Sequence, residues 1–197
     1  MQSDNDGGVQ SKMDVAYIID LLRKNDVILT PGLSTREITE IEDRYDIHFP
    51  PDLRELLMNV LPIGRSFIPW RDTSPQRMGV IWERLNWPLE GMIFDVEQNM
   101  FWPSEWGNRP TDLQDAIDTC KREFLRVPKL IPIYGHRYIP EQPCEEGNPV
   151  FSVYQTDIIV YGESLQEYFK LEFGEKTYEQ IDFEAVKTVR FWSDLCS

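Results

Sequence analysis

Residues 149–161 read PVFSVYQTDIIVY, two short apolar runs on either side of Gln155-Thr156-Asp157. β-Branched and aromatic side chains dominate both runs, and the polar triplet between them suffices for a tight reversal, so the segment predicts an antiparallel hairpin. Residues 130–134 (LIPIY) and 137–139 (RYI) have the same character and predict two further strands just before it.

Upstream of these strands the period is helical. Val15, Ile18, Ile19, Leu21 and Leu22 recur at helical spacing and predict a helix over residues 13–25, with a short strand or extended link over 27–30. Ser34 followed by Glu37 forms a capping box for a second helix that buries Ile38, Ile41 and Tyr45. Pro51 suits the first turn of a third, whose stripe is Leu53, Leu56, Leu57 and Val60. The middle is less regular: a loop over 65–75, a helical pattern over 77–86, a turn at 88–91 around Pro88 and Gly91, and a short strand over 92–96. Thr111 with Gln114 predicts another capped helix, which carries Leu113, Ile117, Cys120, Phe124 and Leu125 inward and ends before Pro128. Ser164 with Glu167 opens one more, and Asp182 caps a final helix over 183–195. Early helices and late hairpin-linked strands make the class α+β, a mainly antiparallel sheet surrounded by helices.

At 197 residues and 41% hydrophobic content the chain is expected to form one domain over residues 13–197, after a flexible polar leader over 1–12. The leader lacks the basic and apolar segments of a signal peptide, and no apolar run approaches the roughly 20 residues that span a bilayer. Cys120, Cys144 and Cys196 are odd in number and widely spaced, as reduced thiols of a cytoplasmic protein would be. A formal charge of −14 repels nucleic acid and anionic membranes and attracts basic proteins, although acidity also serves solubility.

Catalytic patterns are sparse. His48 and His136 are the only histidines, neither accompanied by a nucleophile elbow, and the five His and Cys residues show no metal-ligand spacing. Phosphate-binding glycine loops are missing. Asp95 and Glu97, on one face of the strand expected at 92–96, are the best enzymatic candidate, as a pair of oxygens for Mg²⁺. No catalytic residue, metal or cofactor is assigned.

The distribution of charge is more informative. Residues 85–108 and 138–169 contain no Lys or Arg. The first stretch holds Glu90, Asp95, Glu97 and Glu105 among Trp87, Phe94, Phe101, Trp102 and Trp106; the second holds Glu141, Glu145, Glu146, Asp157, Glu163 and Glu167. Carboxylates beside aromatic rings suit the recognition of a basic protein. The residues expected to contact such a partner are Glu141, Glu145 and Glu146 in the loop 140–147, with Asp157, Glu105, Trp102 and Trp106; at least half of the tryptophans of the first stretch are expected in the core.

Several motifs in order resemble a known family: Gly32-Leu33-Ser34 through Glu37, Ile38, Glu42, Phe49-Pro50, Asp52-Leu53-Arg54 and Leu57, then Leu89-Glu90-Gly91, Phe94-Asp95-Val96-Glu97, Phe101-Trp102 and Trp106-Gly107-Asn108-Arg109-Pro110. Leu130-Ile131-Pro132-Ile133, His136-Arg137-Tyr138, Asn148-Pro149-Val150-Phe151-Ser152-Val153, Asp157-Ile158-Ile159 and Tyr161-Gly162 continue the series. Over about residues 30–175 the chain resembles the SUKH superfamily of Smi/Knr cell-wall-assembly-regulator-like proteins. The resemblance implies an α+β domain without defined catalytic residues. Bacterial members are thought to be immunity proteins that occlude a cognate toxin, often a nuclease, in the producer's cytoplasm. The expected partner is therefore a basic, nuclease-like toxin, met by a monomer or weak dimer that binds neither nucleic acid nor membrane. Eukaryotic members act as scaffolds and signalling regulators, so a regulatory protein-binding module without a toxin partner is the alternative.

Overall fold

The computed structural model describes residues 12–196, so the expected leader lies almost wholly outside the described residues. Helix α1 (Val15–Lys24) starts at Asp14, whose carboxylate accepts from the Tyr17 N–H at 3.0 Å. Strand β1 (Ile28–Pro31) leads to α2 (Thr35–Tyr45), where both halves of the Ser34/Glu37 capping box form. Pro51 opens α3 (Pro51–Asn59), which runs directly into β2 (Val60–Ile63), the antiparallel partner of β1.

The largest departure from expectation follows. Residues 88–96, expected as a turn and a strand, are helical, and they belong to the 24-residue α4 (Pro75–Gln98). Pro88 lies inside it and is buried. A proline cannot donate to the carbonyl four residues before it, here that of Arg84, and the Tyr138 hydroxyl donates to that oxygen instead, at 2.9 Å. Helix α5 (Leu113–Phe124) follows; its cap is Asp112, which accepts from the Asp115 N–H, and not Thr111.

Strands β3 (Leu130–Tyr134), β4 (Arg137–Pro140), β5 (Val150–Tyr154) and β6 (Asp157–Gly162) form one antiparallel meander in chain order. Alternate side chains divide between two cores, as the two-residue period of a strand requires. Ile131, Ile133, Ile139 and Val150 join α1, α2, α3 and α6 (Leu165–Glu172) on one face. Leu130, Tyr138, Phe151, Val153, Ile158 and Val160 join α4 and α5 on the other. Covered on both sides, these strands read as nearly unbroken apolar runs. The fold is α+β, with two antiparallel sheets among seven helices in the described residues.

The helix expected over 183–195 is not formed as one element. Asp182 caps a single 3-10 turn, Phe183–Ala185, and only Trp192–Leu195 (α7) is α-helical. Between them the chain carries Val189 and Phe191 into the second core, which Trp192 of α7 also joins, with Phe191 at φ 71°, outside helical geometry. No helix among the described residues is long and apolar enough to cross a membrane.

Candidate partner-binding surface

At 3.6 residues per turn, Ile81, Pro88, Met92 and Val96 share the buried side of α4. Directly opposite stand Glu83, Trp87, Glu90, Phe94 and Glu97, all exposed and spaced alternately four and three apart, so they form one stripe along the helix. Two of the five are large aromatics, Trp87 at 37% and Phe94 at 45% exposure. Among the described residues, Glu83, Glu90 and Glu97 make no ion pair.

The β5–β6 turn flanks this stripe. Gly91 allows the approach: a Cβ there would lie 2.7 Å from the Gln155 Cα. One turn further on, buried Asp95 accepts from the Thr156 N–H at 2.8 Å and from its hydroxyl at 2.6 Å, which ties the reversal to the helix. The Trp87 indole N–H donates to the Val153 carbonyl at 3.2 Å, and its ring lies 6.4 Å from that of Tyr154. Tyr154 is 60% exposed and pairs across the turn with exposed Asp157. Three aromatic rings and four carboxylates thus lie on α4 and the adjoining turn. The basic side chains nearest on α4 are directed elsewhere. Arg84 donates to the Gly135 carbonyl, while Arg77 with Arg65 and Arg71 borders a separate cleft of about 730 Å³.

The expected contact residues are not brought together. Glu141, expected in an exposed loop, is buried at 8% exposure, and its carboxylate accepts from the His48 N–H at 3.1 Å. Glu145 is exposed but pairs with Lys187 at 2.7 Å, and the same ammonium donates to the Glu146 carbonyl at 2.6 Å. Glu163 and Glu167 are likewise met by Lys176, and Glu167 also by Lys170. Three of the six carboxylates of the second base-free stretch, Glu145, Glu163 and Glu167, are therefore met by lysines from later in the chain.

Trp102 and Trp106 are half-buried and packed. Their rings meet edge to face at 5.3 Å, Trp106 stacks on Phe191, and the Trp102 indole donates to the Gly107 carbonyl at 2.8 Å. Glu105 is exposed, beside Arg126 and Arg190 at a small hollow of about 150 Å³. Of the expected residues, Asp157 alone adjoins the stripe.

The Asp95/Glu97 pair does not share a face either. Two residues apart on a helix, they diverge by about 200°: Asp95 points into the fold and Glu97 into solvent. Among the described residues no group of three or more His, Cys, Asp or Glu is placed to hold a metal ion.

Glu83, Trp87, Glu90, Phe94, Glu97 and Tyr154 are the surface residues that the expected contact set omits. Their signal was present as a four-three spacing, visible only if the helix is read through Pro88. In comparison with known proteins, no family model, no curated protein and no solved structure matches the chain.

Proposed function

We propose that this chain is a protein-binding immunity protein of the SUKH type, acting in the cytoplasm to occlude the basic site of a cognate, nuclease-like toxin. The observation that carries the reading is the outer face of α4, where Glu83, Glu90 and Glu97 alternate with exposed Trp87 and Phe94 and no cation intervenes. An enzyme acting on nucleic acid presents basic residues to phosphate, and a complementary acidic surface is steered to them and covers them. Exposed aromatics supply the apolar contact that charge alone does not. The three cysteines, all free among the described residues, suit a reducing compartment.

Co-expression with candidate toxin domains taken from neighbouring reading frames tests the proposal. Restored growth of a host that otherwise dies is the expected result. Continued killing, with the chain present in soluble form, would overturn it.

A further inference from the structure

The geometry of the α4 stripe points to the shape of its partner, an inference that rests on reading this face as a binding surface. We propose that the occupant is a basic amphipathic α-helix of another protein, lying along α4 and presenting Lys or Arg at seven-residue intervals with apolar side chains between them.

The spacing carries the argument. Glu83, Glu90 and Glu97 stand seven residues apart, which at 1.5 Å per residue is about 10 Å per step and about 21 Å in all. A helix lying alongside repeats one face every seven residues over nearly the same distance, so three cations meet three carboxylates in register. A strand repeats a face every two residues, about 7 Å, and would match the ladder at its two ends but not at Glu90. Nucleic acid is repelled by a chain of charge −14.

Trp87 and Phe94 fill the intervals between the carboxylates. They present apolar surface where a partner helix would place residues at its own four-three spacing, along which the stems of flanking cations would also lie. Its indole N–H is already held by the Val153 carbonyl, so the ring is fixed before a partner arrives. The β5–β6 turn, with Tyr154 and Asp157, adds one rim with a further carboxylate.

Fluorescence anisotropy at low salt with a labelled synthetic helical peptide of 21 residues tests this. The peptide carries Lys at the first position of each of three seven-residue repeats, Leu at the fifth, and Ala and Gln elsewhere. Its control has the same composition with the Lys residues shuffled onto different faces, and circular dichroism matches the two for helicity. The in-register peptide is expected to bind at least tenfold tighter than the shuffled one. Glu83→Lys/Glu90→Lys/Glu97→Lys is expected to weaken it at least tenfold, and Phe94→Ala several-fold. Equal affinity for both peptides, binding unaffected by the triple reversal, or no binding to either would overturn the inference. Toxin neutralisation that persists alongside such a failure leaves the immunity reading standing, and register-specific binding without neutralisation removes that reading alone.

Discussion

The Tyr138 hydroxyl donates to the Arg84 carbonyl at 2.9 Å, the oxygen that Pro88 has no N–H to reach. One buried phenol on β4 thereby satisfies the backbone group orphaned by a proline in the middle of the longest helix. The outer stripe of α4 stays in one register because the helix continues through this point.

Tyr138→Phe is therefore expected to cost about 1–3 kcal/mol, the usual penalty of leaving a buried acceptor unpaired. Urea denaturation measures it. In a Pro88→Ala background, where Ala supplies the missing donor, the same substitution is expected to cost clearly less. An identical cost in both backgrounds would detach the phenol from the proline.

Asp95 holds the β5–β6 turn through both the N–H and the hydroxyl of Thr156. Asp95→Ala removes a buried, charged acceptor and is expected to destabilise by about 1.5–3 kcal/mol. Glu97→Ala, two residues away on the outer face, is expected to stay within about 0.5 kcal/mol of the parent. Thermal or urea unfolding of the two variants distinguishes an anchor from a surface charge, and equal losses would contradict the assignment.

Glu37 is held down to about 2, from the ordinary 4.5, first by the hydrogen bond from Arg71 and then by those from the Ser34 backbone and hydroxyl. A carboxylate depressed in the folded state contributes stability that is complete above its unfolded value and disappears as pH falls through the folded one. The difference in melting temperature between the parent and Glu37→Gln is thus expected to be steady at neutral pH and to shrink between pH 4.5 and 2. A difference that persists unchanged at pH 2 would assign it to packing rather than charge.

Two acids that look alike in sequence are expected to behave oppositely. Glu141→Ala strips a buried acceptor from the His48 N–H and should lower stability by about 1–3 kcal/mol. Glu90→Lys should leave stability within about 0.5 kcal/mol while slowing association with a basic partner, most strongly at low salt. Stopped-flow association rates across a salt series, beside unfolding curves, check both.

Local chemistry made much of this fold readable. The Ser34/Glu37 box marked the start of α2, Pro51 the start of α3, and paired apolar runs marked all four strands of the meander, since each signal acts within a few residues. The failures came where a distant group overrides a local preference. Pro88 and Gly91 read as a turn because the compensating Tyr138 hydroxyl and the Gln155 backbone come from strand β4 and the β5–β6 turn. The C-terminal segment read as a helix because Asp182 offers an N-cap, yet that cap serves a single 3-10 turn and Val189, Phe191 and Trp192 are drawn into the core.

The candidate surface was partly legible for the same reason. A stretch without Lys or Arg is a statement about neighbours in sequence, whereas Lys176 and Lys187 reach Glu163 and Glu145 through space, and Lys170, the first residue after the stretch, meets Glu167 across one helical turn. The first stretch kept its acidity at Glu90 and Glu97. Glu83, two residues before that stretch begins, joins them once the helix is continuous.

The most direct test of the partner-binding face is growth rescue by the triple charge reversal. A host expressing a toxin domain that the parent chain neutralises is given either the parent chain or Glu83→Lys/Glu90→Lys/Glu97→Lys at equal soluble levels and equal melting temperature. The parent is expected to restore growth and the triple variant to lose at least tenfold in surviving colonies. Equal rescue by the two would contradict the assignment of this face.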